Sequence, residues 1–435
     1  MLISSKINNG INGNIIIPGD KSISHRSIII PSISNGTSEI SNILLSEDVM
    51  HTLKAFTSMG VKINQFKDKI LIEGKGLNSL KKPPKNIYLG NSGTSARLLT
   101  GLLASQKFNT TLIGDKSLSK RPMKRITDPL EIMNGKFSSN NGCLPLNIYG
   151  KELSNITYEV PIPSAQVKSG LILASLNIKG TTKIIEKHIT RNHTEIMLQS
   201  FGANLNIKQQ GSKKIINVVG KTELKSKNIS VPSDLSSSAF FIVAALINNN
   251  SKILLKDINI NETRDGIVKA LKMMNAKIYL HNKRSLNDEI IADIIVESSE
   301  LNGCELDAEM AKLMIDEYPI LSIAASFAKS PSLFRGLKEL KIKESNRLEL
   351  IRENLERCGV DCNVKNDELF IDPTKRVSIK NNKIKTNFDH RIAMSFAIMG
   401  SLLGQDLEIL DSDSIKTSFP NFNKIFNEAG GNLIE

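Results

Sequence analysis

Three short segments combine glycine, hydroxyls and cations in the arrangement expected of an anion-binding helix start: GDKSISHR at 19–26, GNSGTSAR at 90–97 and PSAQVKSG at 163–170. A helix N-terminus presents unpaired N–H groups and partial positive charge, so polar loops opening onto helices favour phosphates and carboxylates. Glycine lets a phosphate approach the backbone, and Ser22 or Ser24 is suited to cap the helix of the first segment. GNSGTSAR lacks the Gly-Lys-Ser/Thr ending of a nucleotide-binding P-loop. Further polar clusters stand at Asp234, Asp316 and Asp389-His390-Arg391, with RPMKR at 121–125 and KESNR at 343–347. The planar fork of arginine suits carboxylate and phosphate alike, so small molecules carrying both are the expected cargo. In KESNR, Glu344 lies between Lys343 and Arg347, which favours its charged form. Taken singly, each of these runs also fits a solvated, capped helix start.

The elements that must hold these residues recur. An apolar helix rich in Ala, Ser, Ile and Leu follows each polar loop, beginning near 19, 90, 161, 232, 315 and 387. A second, amphipathic helix alternates with it, ends at glycine or a small residue and runs into a β-like segment, as in MGVKI, NGKFS, FGANLNI, MNAKIYL, CGVDCNV and AGGNLIE. Segments such as KILIEGKG and KIINVVGK add the second arm of a hairpin. This pattern predicts an α/β protein of six helix–hairpin–helix repeats of about 72 residues. Three repeats per domain put the boundary near Pro232, with an N-terminal domain at 20–232 and a C-terminal domain made of 1–19 plus 233–435. The apolar helices should be buried against sheets and the amphipathic ones should lie outside.

Composition narrows the function further. The 435 residues, 40% apolar, suffice for two cores. No stretch of 18 apolar residues occurs and the N-terminus lacks a secretory signal, so a cytoplasmic protein without a membrane is expected. The net charge of +13 is spread along the chain without basic blocks or interleaved aromatics, and there is no tryptophan, a distribution that argues against nucleic acid and for small anions. Four cysteines and six histidines fall at no metal-ligand spacing, so no metal is expected. No cofactor is expected either.

Nine strings, from IPGDKSISHR through LGNSGTSARLLTG, KRPMKRI, PSAQVKSGLILA, RNHTEIML, IDEYPILSIAA, LKIKESNRL and FDHRIAMSFAI to TSFPNF, resemble the ordered signature segments of the EPSP synthase family over nearly the whole chain. The resemblance implies a two-domain enolpyruvyl transferase-like fold with the active site in the interdomain cleft. It implies transfer of the enolpyruvyl group of phosphoenolpyruvate to the 5-hydroxyl of shikimate 3-phosphate, in the shikimate pathway to aromatic amino acids. By motif position, Lys21 touches phosphoenolpyruvate, and Ser22, Arg26, Ser164 and Gln166 hold shikimate 3-phosphate, Gln166 reaching both. Gly93, Thr94, Arg121, Arg347 and Arg391 line the phosphoenolpyruvate pocket, while Asp316 and Lys343 stand near the reacting hydroxyl. The N-terminal domain is thereby the main shikimate 3-phosphate side, and the C-terminal domain carries the acid and base. Glu344, with Lys21, is the expected acid and Asp316 the expected base. Thr417 and Lys416 depart from the family pattern and stay outside the expected site. The related transferase acting on UDP-N-acetylglucosamine uses a cysteine five residues before an Arg-Pro pair, where this chain has Lys116. The two substrates are the expected partners, and a monomer the expected working form.

Overall fold

The computed structural model describes residues 1–375 and 377–435. Thirteen α-helices occur among them: α1 Lys21–Ser32, α2 Glu47–Ser58, α3 Gly93–Ala104, α4 Lys124–Ile132, α5 Ala165–Ser175, α6 His193–Ser200, α7 Leu235–Ile247, α8 Gly266–Met273, α9 Ala308–Met314, α10 Tyr318–Ser326, α11 Arg347–Arg357, α12 His390–Gly400 and α13 Phe422–Glu428. The apolar helices α1, α3, α5, α7, α10 and α12 are buried nearly from end to end. A helix without a polar face can be stable in water only when surrounded by protein. The amphipathic helices alternate with them, and α2, α6, α11 and α13 are followed by Gly60, Gly202, Gly359 and Gly430 at positive φ. At α4 and α8 the left-handed stop is Asn134 and Asn275 instead, the residue that after glycine best tolerates this conformation.

Every repeat holds one four-stranded sheet of a single strand order. Around α3, Ile87–Tyr88 runs parallel to Asn109–Ile113, which pairs antiparallel with Cys143–Tyr149, and that strand with Lys136–Asn140. The repeat is therefore richer than helix–hairpin–helix, because a short lead strand lies parallel to the strand that follows each buried helix. Lead strands of two to four residues, such as Ile87–Tyr88 and Glu305–Leu306, are too short to show alternation. Two sheets are completed by the N-terminal segment. Asn12–Ile15 leads the sheet beside α7, and Leu2–Ser4 sits between Leu407–Ile409 and Leu433–Ile434. Helix α9, just before α10, has no counterpart in the expected repeat.

The chain divides into two compact units. One comprises Met1–Pro18, Pro232–Ser285 and Ile290–Glu435; the other comprises Gly19–Val231 and Leu286–Glu289. The second departs from a simple division near Pro232 by including the turn at 286–289. That turn is tied to its unit by Asn287 Nδ2 donating to Ser230 O (2.9 Å) and by Glu289 Oε1 at 2.7 Å from His193 Nδ1. Each unit has its own core. Phe240, Phe241, Phe419, Phe422 and Phe426 form an aromatic group in one, and aliphatic side chains of α1, α3 and α5 fill the other.

In the unit of α1 to α6, the buried helices approach through their backbones. A Cβ at Gly101 would lie 1.9 Å from the Gly170 carbonyl oxygen, so α3 and α5 meet at a point that admits no side chain. The same unit holds a buried hydroxyl chain: His25 Nδ1 is 2.8 Å from Thr52 Oγ1, Thr52 is 2.5 Å from Ser95 Oγ, and Ser95 is 2.7 Å from Ser92 Oγ. It joins α1, α2 and the start of α3. Burial, reinforced by Lys21 and Arg26, holds the His25 imidazole well below its usual range, hence neutral at pH 7.

Two outcomes are expected. Gly101→Ala should lower stability by about 1–3 kcal/mol through overpacking, whereas Gly404→Ala, where a Cβ meets nothing within 4 Å, should change it by less than about 0.5 kcal/mol. Denaturant melts of the two variants check this; equal effects would contradict the backbone contact. For His25, the unfolded chain takes up a proton below about pH 6.5 that the folded state refuses, so this site's stability contribution falls as pH drops, by up to about 1.4 kcal/mol per unit. Unfolding midpoints of wild type and His25→Gln should therefore converge between pH 7 and 5, and a constant gap would refute the neutral buried imidazole.

Candidate active site

The first turns of α1, α3 and α5 carry one polar cluster. Asp20 caps α1 through Ile23 N (2.9 Å), Ser92 caps α3 through Ser95 N (3.2 Å) and Ser164 caps α5 through Val167 N (3.3 Å). Asp20 thus takes the role expected of Ser22 or Ser24, because both serines already lie inside the helix. Ser24 Oγ instead accepts from Leu44 N at 3.0 Å. Gly19 is required by packing, since a Cβ there would lie 2.0 Å from the Asn42 carbonyl oxygen.

Within this cluster Lys21 is ion-paired with Asp48 on α2. Gln166 is oriented from both ends: Nε2 donates to Thr94 Oγ1 (3.0 Å), and Oε1 accepts from Arg97 Nη1 (3.0 Å). Arg97 also donates to the carbonyl oxygens of Gly93 (3.2 Å) and Pro122 (3.3 Å), and Arg121 donates to Asn91 Oδ1 and to Ser117 Oγ (3.3 Å). A Cβ at Gly93 would lie 2.8 Å from Arg97 Nη1 and 3.2 Å from Arg121 Nη1. Gly93 therefore leaves two guanidinium groups room beside the start of α3. Arg97 is a member of this cluster that motif position did not assign, although its spacing four residues after Gly93 on a helix start was a usable signal.

Arg26 is 3% exposed. Its Nε donates to Thr194 Oγ1 (2.6 Å), Nη1 to Ser22 O (2.8 Å) and Nη2 to Ser169 Oγ (2.8 Å). Burial pulls its guanidinium down to about 10, which still leaves it charged at neutral pH. Lys168, next to Ser169, points the other way. It is fully buried between Glu186 (3.0 Å) and Glu195 (2.8 Å), and donates to Thr190 O (3.2 Å). Burial raises the Glu186 carboxyl above its ordinary range. Lys168 is thus a structural cation that ties α5 to the start of α6.

In the other unit a second cluster gathers at α7, α10, α11 and α12. Arg347, the first residue of α11 and 1% exposed, is its hub. Nε donates to Asp389 Oδ2 (2.8 Å), Nη1 to Asp316 Oδ1 (3.2 Å) and Nη2 to Glu344. Burial alone would disfavour its charge, but Asp389, Glu344 and Asp316 outweigh burial and raise it further. Lys343 Nζ lies 3.1 Å from Asp316 Oδ1, and Ser345 Oγ donates to Asp389 Oδ2 at 2.9 Å. Asp389 also caps α12 by accepting from Arg391 N (3.0 Å). The Arg391 guanidinium donates to Asp316 O (3.1 Å) and lies 3.7 Å from Glu317 Oε1. Ser236 of α7 donates to Glu317 and accepts from Arg264, which lies 3.6 Å from Asp234. Glu317, Arg264 and Ser236 extend this network beyond the residues the motifs pointed to.

The expected site residues therefore fall into two groups. Lys21, Ser22, Arg26, Gly93, Thr94, Arg121, Ser164 and Gln166 belong to the unit of α1 to α6, and Asp316, Lys343, Glu344, Arg347 and Arg391 to the unit of α7 to α13. The first is cation-rich: Arg26 is bonded to two hydroxyls and a carbonyl oxygen, while Lys21 is paired with Asp48. The second binds three carboxylates, Asp316, Glu344 and the α12 cap Asp389, to one guanidinium. Such an arrangement can hold anions and offers carboxylates for proton transfer. No group of His, Cys, Asp and Glu able to hold a metal ion occurs among the described residues. An open groove of about 350 Å³ lined by Lys82, Lys85, Asn109, Thr111, Asn147 and Tyr149 lies along a sheet and includes none of these residues.

The family model described as EPSP synthase (3-phosphoshikimate 1-carboxyvinyltransferase) matches residues 6–426. A 3-phosphoshikimate 1-carboxyvinyltransferase from Ruthia magnifica subsp. Calyptogena magnifica is 46% identical over 429 residues, covering 98% of each chain. One from Oceanobacillus iheyensis is 45% identical, covering 96% of each. The solved EPSP synthase of Acinetobacter baumannii superposes with a TM-score of 0.87 at 40% identity over 100% of this chain and 99% of that one. The enolpyruvyl transferase NikO of Streptomyces tendae, at 13% identity, shares the fold with a TM-score of 0.77 over 100% of this chain and 98% of its own. With the matched family segment running from residue 6 into α13, the chain belongs to the EPSP synthase family.

Proposed function

We propose that this chain transfers the enolpyruvyl group of phosphoenolpyruvate to the 5-hydroxyl of shikimate 3-phosphate, releasing phosphate. The observation that carries the reading is the tie of Asp316 and Glu344 to the single buried guanidinium of Arg347, within a chain of this family. Carbon 2 of phosphoenolpyruvate becomes electrophilic only when carbon 3 takes a proton, so the reaction needs an acid at the methylene and a base at the attacking hydroxyl. Glu344, assisted by Lys21, delivers the proton to carbon 3. Asp316, held by Lys343 and Arg347, takes the proton of the 5-hydroxyl. The resulting tetrahedral adduct loses phosphate and one carbon 3 proton to give the enol ether.

Cations do the remaining work. Arg121, Arg347 and Arg391, with Gly93 and Thr94, hold phosphoenolpyruvate and stabilise the charge that moves onto the leaving phosphate. Ser22, Arg26, Ser164 and Gln166 hold shikimate 3-phosphate, and Lys343 joins them near the hydroxyl. Two anions repel in water, and fixing them together removes that cost before the chemical step. The working form is a single chain in the cytoplasm with these two small molecules as its partners. No described helix is long and apolar enough to cross a membrane.

The defining measurement is phosphate release from phosphoenolpyruvate with shikimate 3-phosphate, against shikimate and UDP-N-acetylglucosamine as controls. Release dependent on shikimate 3-phosphate is expected, and release with UDP-N-acetylglucosamine alone would replace the acceptor. Asp316→Asn should cut turnover by about 10²–10⁴-fold while calorimetric affinity for shikimate 3-phosphate stays within about tenfold. Undiminished turnover in that variant would remove Asp316 as the base.

A further inference from the structure

Two buried arginines are handled in opposite ways. Arg347 is ion-paired with Asp316, Glu344 and Asp389. Arg26, almost as deeply buried, is bonded to two hydroxyls and a carbonyl oxygen, with no carboxylate among those partners. Its Nε and Nη2 meet Thr194 Oγ1 and Ser169 Oγ side by side, and Thr194 Oγ1 itself donates to Ser169 Oγ at 2.7 Å. The two oxygens occupy the positions a carboxylate takes on one edge of a guanidinium, yet the pair carries no charge. A guanidinium has five N–H bonds. Three are used here, which leaves one on each terminal nitrogen for a ligand.

We infer that the Ser169–Thr194 hydroxyl pair is a neutral anchor that fixes the Arg26 fork in place while leaving its positive charge for the oxyanion of the acceptor substrate. A carboxylate at the same place would hold the side chain as firmly but would cancel the charge and occupy the field an anion needs. Carboxylates are near at hand and are kept off it: Glu195, the residue after Thr194, is drawn to Lys168 at 2.8 Å, and Asp20 accepts from Ile23 N. Lys168, the residue before Ser169, lies on α5 and Glu195 on α6, so their ion pair also sets the spacing of the two hydroxyls. Ser169 and Thr194 are thus positioning residues acting through Arg26. The inference rests on the proposed reaction for the identity of the anion, but not for the anchor itself.

The test is calorimetric titration with shikimate 3-phosphate and, separately, with phosphoenolpyruvate, beside steady-state kinetics. Thr194→Val and Ser169→Ala should each weaken shikimate 3-phosphate binding and raise its KM by about tenfold or more, with kcat and the KM for phosphoenolpyruvate within about threefold of wild type. Thr194→Ser should restore wild-type affinity. Ser169→Asp, which supplies the missing carboxylate, should keep or raise the melting temperature and still weaken shikimate 3-phosphate binding by about a hundredfold. A purely structural role would lower melting temperature and both affinities together, so that pattern would overturn the inference. So would shikimate 3-phosphate affinity within twofold of wild type in folded Thr194→Val or in Ser169→Asp. If the apolar variants do not fold, Ser169→Asp against Thr194→Ser decides alone. Wild type that binds shikimate 3-phosphate without turning it over would defeat the proposed reaction and leave the anchor to be judged by binding. Wild type that binds neither shikimate 3-phosphate nor inorganic phosphate would defeat the anchor.

Discussion

A helix that is apolar on every side must be buried, and its first-turn N–H groups are buried with it. That constraint governs this protein. Six such helices recur through the chain, and each must either cap its own start or present it to something negative. Capping is local for five of them: Asp20, Ser92, Ser164, Asp234 and Asp389 accept from backbone N–H groups of the following turn. Helix α10 has no side-chain cap and begins Tyr318-Pro319, with the missing N–H of proline reducing the demand. Polar side chains just inside four of the caps, Lys21, Thr94, Gln166 and Arg391, then stand half-buried at the end of a buried element and are held by it.

From this follows the separation of charge between the two units. Where α1, α3 and α5 begin, the cations Arg26, Arg97 and Arg121 are oriented largely by amides, hydroxyls and carbonyl oxygens. Where α10, α11 and α12 begin, carboxylates are as numerous as cations, and Arg347 binds three of them. Arg26 thus keeps hydroxyl and carbonyl partners, while Arg347 is held among carboxylates. One repeated architecture carries both arrangements near its helix starts.

Close backbone contact completes the scheme. The α3–α5 approach at Gly101 and Gly170 lets two helix starts lie near enough for Gln166 to reach Thr94 and Arg97. The Lys168 ion pairs do the same for α5 and α6, which brings Ser169 and Thr194 to one guanidinium. Helix packing and the setting of the polar side chains at the helix starts are therefore coupled.

Much of this was legible without a structure. Periodicity distinguished the buried helices from the amphipathic ones, glycine stops marked the ends of four of the latter, and the polar clusters at the helix starts named the residue types of the candidate site. Those signals are local, each acting over a few residues of chain. The lead strands were invisible because two to four residues cannot show alternation, and their partners are chosen by the sheet. Asp20 was passed over as a cap because Ser22 and Ser24 looked equally able, and only the helix start at Lys21 separated them. Arg97, Ser169 and Thr194 were present in the motifs without a role. The bonds that give Arg26 its setting span 143 and 168 residues, and no local rule reaches that far. Sequence alone determined which groups were available and where along the repeats they stood; tertiary packing decided which of them meet, because a hydrogen bond depends on ångström-scale approach that only the assembled helices impose.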